Sequence, residues 1–410
     1  MALHVMDEAN HCLGCKVPRC QQGCPIHTNI PEVIRLLKAN KLDEAGRMLF
    51  ENNPLTTVCS LVCNHENQCE GHCVRGIKGA PVHFSVIENY ISSTYASQMT
   101  QGPAPSNGKK AAIIGSGPAG LSAALTAARE GHKVTVFERG PRIGGCLVLS
   151  SVFSPMYERL IKYYKAVLPK YPNIDIRCNK KVTAEFVKKC APEVVIVAVG
   201  GECIDGDMPG TDGKNVVRSH DFLELLNGRP PQKPGIVNKV LWNAGYVFLH
   251  FIYTPKLINF ALKLPSPWPV GKKVAIIGGG LPGCEMGMKL TGGWRKMNIF
   301  ETGKIGYDVG SSERFIVRNT FKTADDVEMH EKSRVVSITD SGVYAVNENG
   351  QEDFYEANTV AVTLGFKENR ELYEQVKDLA PQVFIVGDCN EPKRMADATK
   401  AGYRAAASIK

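Results

Sequence analysis

One unit of sequence occurs twice in this chain. Lys109–Glu138 reads KKAAIIGSGPAGLSAALTAAREGHKVTVFE, and Lys272–Glu301 reads KKVAIIGGGLPGCEMGMKLTGGWRKMNIFE; the two align without a gap. Each copy holds an apolar run suited to a buried strand, a glycine turn, a helix-length stretch, a second strand and a closing glutamate. Units of this kind build parallel sheets, so the repeat predicts two nucleotide-binding α/β domains. In the first copy the strand Ala111–Ile114 runs into Gly115-Ser116-Gly117-Pro118-Ala119-Gly120. Glycines there allow a tight turn and a close approach to a pyrophosphate resting on the helix N-terminus. Glu138 ends the next strand, where a carboxylate accepts hydrogen bonds from ribose hydroxyls. A lone GxGxxG is weak, but strand, helix and acid stand here in order, which favours nucleotide binding over chance. The second loop is Gly278-Gly279-Gly280-Leu281-Pro282-Gly283, with Glu301 in the matching place. A carboxylate there repels a 2′-phosphate, whereas NADP sites often supply arginine. NADH is therefore favoured over NADPH, with Lys304 close by as a counter-signal.

The runs Pro192–Gly201, Thr359–Gly365 and Val383–Asp388 read as later strands, and Ala396–Ile409 as a final helix. The first nucleotide domain is then discontinuous, interrupted by the second and completed by the C-terminal stretch. Expected boundaries are an α-helical region at 1–106, a first nucleotide domain at 107–218 and 366–410, a connecting segment at 219–270 and a second nucleotide domain at 271–365. Within the first region Ile30–Phe50 carries Ile34, Leu37, Leu42, Ala45 and Leu49 at helix-like intervals, and Val82–Ser97 is a second helical stretch. Gln101–Gly108 reads as a linker.

Eight of the fourteen cysteines fall between Cys12 and Cys73. They form two groups, Cys12-x2-Cys15-x4-Cys20-x3-Cys24-Pro25 and Cys59-x3-Cys63-x5-Cys69-x3-Cys73. Nucleotide-binding sequence points to a reducing, cytoplasmic setting, which disfavours disulfides. Thiolates are the preferred ligands of iron–sulfur clusters, and eight make two sets of four. A Cys-Pro closing such a run tends to ligate the other cluster of a pair. The expected sets are therefore Cys12, Cys15, Cys20 and Cys73 for one 4Fe-4S cluster, and Cys24, Cys59, Cys63 and Cys69 for the other. The alternative is a pair of structural zinc sites. Zinc favours C-x2-C pairs or Cys/His mixtures; only Cys12/Cys15 fits the pair, while His11, His27, His65 and His72 keep zinc open.

The chain has 410 residues, 43% hydrophobic and 22% charged, as in an ordinary globular protein. Its net charge of +8 is scattered in short pairs such as Lys109–Lys110 and Lys272–Lys273, unlike the concentrated patch of a nucleic-acid binder. Met1–Asn10 lacks the apolar core of a secretory signal, and no apolar run is long enough to span a bilayer. Leu241–Leu264 is unusually apolar and aromatic; it reads as an arm packed on the nucleotide domains, or as a contact for a membrane surface or partner subunit. Cys146 follows Gly144-Gly145, and with no second thiol before Cys178 it reads as a packing residue rather than a redox thiol.

The two cysteine groups, NNPLTTVCSLVC, CEGHC, GSGPAGL, and Glu138 followed by Arg142-Ile143-Gly144-Gly145, resemble the glutamate synthase small-subunit family and the N-terminal module of dihydropyrimidine dehydrogenase. The resemblance covers nearly the whole chain. It implies an α-helical ferredoxin-like domain, then an FAD domain with an NAD(P)H domain inserted in it. It also implies that Arg139, Gly144, Gly145, Gly200, Gly387, Asp388 and Ala398 join the first glycine loop around FAD. The second loop and VFIVGDCNEPKRMADATKAG look more like flavin reductases of the old-yellow-enzyme group, whose catalytic barrel is absent here. Some family members replace one cluster cysteine by Glu or Gln; Glu88 is the candidate substitute, so the choice between Cys59 and Glu88 stays open. Cofactor chemistry of this type needs no protein acid or base, and no catalytic side chain is assigned. The expected activity is electron transfer between NAD(P)H, FAD, two 4Fe-4S clusters and a partner subunit or ferredoxin. The rivals are a stand-alone reductase of a small organic or quinone acceptor, and a non-catalytic assembly subunit. With no glutaminase domain or glutamate-forming barrel, the chain is not expected to make glutamate by itself.

Overall fold

The computed structural model describes residues 2–98, 102–229, 236–264, 270–309 and 311–409. They gather into two compact units: Met1–Arg139, Arg159–Gly200 and Arg370–Lys410 form the first, Gly140–Glu158 and Gly201–Asn369 the second. Gln101 of the expected linker, and residues 230–235 and 265–269 of the expected connecting segment, lie outside the described residues.

The first unit opens with helices Ala2–Asn10, Ile30–Lys38, Leu42–Asn52, Thr56–Val62 and Phe84–Gln98, with no strand among the described residues before Lys110. Their apolar faces meet in a core of Val5, Ile34, Leu37, Leu49, Ile87 and Ile91, against which Cys12, Cys20 and Cys73 pack. The periodic stretch 30–50 is two helices rather than one. Asn40 adopts φ +58°, a left-handed conformation that asparagine tolerates at helix ends, and the chain turns there.

Beyond it lies a five-stranded sheet in the order Gln382–Ile385, Val194–Val197, Lys110–Ile114, Lys133–Phe137, Ile174–Arg177. All its pairings are parallel. Val194–Val197 is buried at every position, as expected of a strand covered on both faces. The helix Pro118–Arg129 joins two of the strands, and the final helix Met395–Ala407 lies against it. That approach is close because Gly402 faces the backbone of Ala119: a Cβ there would stand 2.0 Å from the Ala119 carbonyl oxygen. The Ser122 hydroxyl donates to the Thr399 carbonyl at 2.7 Å and locks the pair.

The second unit repeats the plan. Its parallel sheet runs Val216–Arg218, Thr359–Val362, Lys273–Ile277, Lys296–Glu301, Val327–Glu331, and an antiparallel three-stranded sheet joins Arg334–Thr339, Gly342–Val346 and Glu352–Glu356. The fold is thus α/β with two Rossmann-type sheets. The division differs from the expected boundaries. The segment 201–218 belongs to the second unit, because Val216–Arg218 pairs with Thr359–Val362. Glu202–Cys203 and Phe366–Lys367, outgoing and returning chain, pair antiparallel there. The first 106 residues group with the first sheet in one unit instead of standing apart. Residues 140–158, 219–229 and 236–264 pack within the second unit: Ser219–Leu226 meets Cys146–Phe153 and Ile236–Phe251.

Replacing Gly402 with leucine forces a side chain into the Ala119 backbone. Overpacking of this kind costs about 1–3 kcal/mol, so calorimetry should show a lowered unfolding midpoint for Gly402→Leu.

Candidate cofactor-binding sites

The first glycine loop assigns a separate task to each glycine. Gly115 holds φ +106°, and a Cβ there would lie 2.2 Å from the Ala198 carbonyl oxygen, so only glycine fits the turn. A Cβ on Gly120 would lie 2.0 Å from the Gly115 carbonyl oxygen, which lets the helix seat against the loop. A Cβ on Gly117, by contrast, would meet nothing within 4 Å. Gly117 caps the helix Pro118–Arg129 without a side-chain hydrogen bond, leaving its N-terminal donors for an anion. Glu138 is buried at the end of its strand and accepts from Ser116 N at 3.2 Å and Ser116 Oγ at 2.5 Å. Gly387 holds φ +73°, and a Cβ there would lie 2.9 Å from Ala119 Cβ and 3.7 Å from Ala398 Cβ. Ala119, Gly387 and Ala398 thus converge, and burial raises the carboxyl of the adjoining Asp388. Gly200 follows the strand Val194–Val197 in left-handed conformation, and Arg139 is exposed. These residues share the first unit; Gly144 and Gly145 lie in the second, with φ +124° and +54°, Gly145 preceding the helix Cys146–Phe153. Arg142, in the same motif, donates to the carbonyls of Leu226, Leu249 and His250 and ties the following helices together.

The second loop repeats this geometry with one addition. Gly278 holds φ +101° with Thr363 O 2.5 Å from a would-be Cβ, and Gly283 would meet the Gly278 carbonyl oxygen at 1.9 Å. Glu301 accepts from Gly279 N at 2.8 Å and Gly303 N at 2.9 Å. The addition is Asp308, whose Oδ1 accepts from Leu281 N at 2.8 Å and whose Oδ2 lies 3.1 Å from a would-be Cβ on Gly280. A carboxylate therefore occupies the helix N-terminus that a pyrophosphate would use. No motif marks Asp308; it stands seven residues beyond Glu301 in an irregular segment, and only the fold brings it back.

The eight N-terminal cysteines are expected as two fours, and Cys69 borders both. Cys12, Cys15, Cys20 and Cys73 line one cavity, which Cys69 also reaches. Burial pushes the Cys20 thiol up to about 11, and the neighbouring Cys73, Cys12 and Cys15 add to the rise. Val82 N lies 3.4 Å from Cys73 Sγ. In the second four, a hydrogen bond to Cys63, then burial, hold the Cys59 thiol well above its ordinary range, with Cys24 and Glu88 also adding. Burial does the same to Cys69, again with Glu88 and Cys24 nearby. Asn53 Nδ2 donates to Cys59 Sγ at 3.2 Å. Glu88 is buried beside this set and accepts from Thr56 Oγ1 at 2.7 Å; burial, chiefly, raises its carboxyl to about 8. Cys59 and Glu88 thus both stand at the second set. His65 Nε2, close by in sequence, is buried without a hydrogen-bond partner, as befits a site that takes a group of its own. Among the described residues no three His, Cys, Asp or Glu side chains close on a single-ion point.

The second set also adjoins the nucleotide part of its own unit. Helix Thr56–Val62 packs on the final helix Met395–Ala407, and Lys400 on that helix helps to lower the Cys63 thiol, an effect due first to the bond from Cys59. The helical arm shows two faces. Leu249 is buried, and the Tyr253 hydroxyl bonds to Val148 O at 2.5 Å and Ser151 Oγ at 2.8 Å; Phe251 and Phe260 point outward, 80% and 62% exposed. The Leu241 side chain lies outside the described residues. Among the described residues no helix is long and apolar enough to cross a membrane.

Two dinucleotide folds joined to a thiol-rich helical domain define an NAD(P)H-dependent flavin oxidoreductase with a 4Fe-4S module. The comparisons agree. Residues 109–405 match the model described as pyridine nucleotide-disulphide oxidoreductase, and residues 2–100 match dihydropyrimidine dehydrogenase domain II, 4Fe-4S cluster. The chain belongs to the pyridine nucleotide-disulphide oxidoreductase family. It is 32% identical over 232 residues to the glutamate synthase (NADPH) small chain of Azospirillum brasilense, covering 54% of this chain and 47% of that one. It is 25% identical over 345 residues to cinnamate reductase of Clostridium sporogenes, covering 82% and 45%. Its fold is similar to that of a 2-naphthoyl-CoA reductase complex, with TM-score 0.62 and 23% identity over 93% of this chain and 50% of that one. The chain spans about half the length of these proteins.

Removing the carboxylate at 308 should aid nucleotide binding. Charges at helix N-termini are worth about 0.3–1 kcal/mol, so Asp308→Ala should lower the Kd for NADH by roughly two- to fivefold in a fluorescence titration.

Proposed function

We propose that this protein passes electrons between a nicotinamide nucleotide, FAD and two 4Fe-4S clusters, and on to a partner subunit or a ferredoxin in the cytoplasm. One observation carries the reading: the second set of thiols packs beside the helix Met395–Ala407, which itself lies on the helix of the first glycine loop. When bound, FAD exchanges a hydride with the nicotinamide and single electrons with the clusters, and each cluster carries one electron.

The chain's own residues hold, orient and insulate. Gly115, Gly117, Pro118, Ala119 and Gly120, with Glu138, would hold the FAD pyrophosphate and ribose, and Gly387, Asp388 and Ala398 would face the flavin end, with Arg139 and Gly200 alongside. Gly278, Gly280, Gly283 and Glu301 would take the nicotinamide nucleotide, and the Glu301 carboxylate favours NADH. Cys12, Cys15, Cys20 and Cys73 would hold one cluster. Cys24, Cys59, Cys63 and Cys69 would hold the other, with Glu88 beside them. The exposed Val247, Phe248, Phe251 and Phe260 support a contact with a partner subunit or a membrane surface.

A reductase acting on a small acceptor alone is the second reading, favoured by the match to cinnamate reductase across 82% of the chain. An anaerobic titration with NADH, then NADPH, decides. Bleaching of the flavin band followed by loss of cluster absorbance, with NADH effective at lower concentration, is expected. A protein that is not bleached, or that turns over a small acceptor while its clusters stay oxidised, overturns the electron-transfer reading. Cys20→Ser and Cys63→Ser should each remove about half of the iron and acid-labile sulfide, measured by chemical analysis of the purified variants.

A further inference from the structure

The first set of thiols lies under a surface with its own character. Leu13 and Val17, in the loop that carries Cys12 and Cys15, are 64% and 68% exposed, and Ile77, just past Cys73, is 65% exposed. Leu13 and Arg75 line the same cavity as the four thiols. Lys16, Arg19, Arg75 and Lys78 are exposed in the same two stretches, and Arg19 also lines the cavity. The two chain stretches involved, 9–31 and 71–87, contain no Asp or Glu. Among the described residues none of these four cations is in an ion pair. Exposed apolar and cationic side chains, with no carboxylate from these stretches, therefore flank the thiol cavity.

Each part suits brief docking of a redox protein. Single-electron transfer fails steeply with distance, so an acceptor must settle over the group that gives the electron. Electron-transfer interfaces are small and short-lived, with an apolar centre and a polar rim. Charge on the rim steers encounter more than it adds affinity. Charges that served stability alone would be met by acids of the same chain, as Arg35 is by Glu32 and Lys41 by Glu44.

We propose that the surface formed by Leu13, Val17 and Ile77 with Lys16, Arg19, Arg75 and Lys78 is the docking site for an acidic one-electron carrier protein of the ferredoxin type. The proposal rests on the electron-transfer reading above and gives the exit a place and a charge. Per turnover, NAD(P)H and two oxidised carriers give NAD(P)+, one proton and two carriers reduced by one electron each. The reverse direction uses the same surface.

The test is binding of an acidic 2Fe-2S ferredoxin to the purified holoprotein by surface plasmon resonance, at low and at high salt. A basic c-type cytochrome serves as the control. The wild type should bind the ferredoxin at low salt, weaken steeply as salt rises, and ignore the cytochrome. Lys16→Glu/Lys78→Glu should weaken binding at least tenfold at low salt, with the difference shrinking at high salt. Val17→Asn/Ile77→Asn should weaken binding equally at both salt levels. Bleaching of the flavin by NADH should be unchanged in both variants, which separates this test from that of the electron-transfer reading. Ferredoxin binding that is salt-independent, equal in the charge-reversed variant, or matched by the basic cytochrome overturns the proposal. So does a surface that proves to join two copies of this chain, seen as a halved mass of the charge-reversed protein in sedimentation with ferredoxin binding intact.

Discussion

The closeness of two helices, Pro118–Arg129 and Met395–Ala407, governs most of the first unit. Small residues make it possible. Gly402 lies against the backbone of Ala119, and Gly387 leaves room for Ala119 and Ala398 to meet. With larger side chains the final helix would ride outward by the width of a methyl group or more. The strand Gln382–Ile385 pairs parallel with Val194–Val197 at the edge of the sheet, and the segment after it would lose its register with the first glycine loop. The same helix bears Lys400, whose charge helps to lower the Cys63 thiol. One packing contact therefore sets the relation of dinucleotide loop, Gly387–Asp388 turn and second thiol set.

The repeat was legible because its logic is local. A strand, a glycine turn and a helix announce themselves within thirty residues, and the roles of Gly115 and Gly120 follow from that turn alone. The 4Fe-4S module was legible for a related reason: eight thiols at short spacings within one helical region announce a metal-bearing domain. What escaped reading is what depends on distant chain. The stretch 201–218 reads as a continuation of the first nucleotide domain, yet its strand Val216–Arg218 finds its partner at Thr359–Val362, more than a hundred residues on. Asn40 breaks a periodic helix through a backbone conformation that hydrophobic spacing does not encode. Asp308 reaches the second loop only because the irregular segment after Glu301 folds back over it.

The two dinucleotide loops share a design and differ in readiness. Both place a left-handed glycine against a neighbouring carbonyl and a second glycine under the helix. At the first loop the helix N-terminus has no side-chain cap. At the second, Asp308 takes the Leu281 N–H. A helix N-terminus attracts any anion, so the second loop offers an incoming phosphate a competitor already in place. Tight, lasting retention suits the first loop and exchange suits the second, which is the division of labour between a resident cofactor and a nucleotide that comes and goes.

The thiol sets differ in a parallel way. The second is more deeply enclosed, with Cys69 buried and Glu88 buried beside it, and it adjoins the nucleotide part of its unit. The first opens on a cavity rimmed by exposed Leu13 and Arg75. If both sets served only to staple the helical region, nothing in packing would favour leaving one of them under exposed apolar side chains, since exposure of that kind costs free energy unless another surface covers it. On the electron-transfer proposal this asymmetry is expected, with the enclosed set toward the nucleotide part of the unit and the open set toward a partner. The helical core of Val5, Ile34, Leu37 and Ile87 includes Cys69 and packs against Cys12, Cys20 and Cys73, so one small core positions thiols of both expected sets.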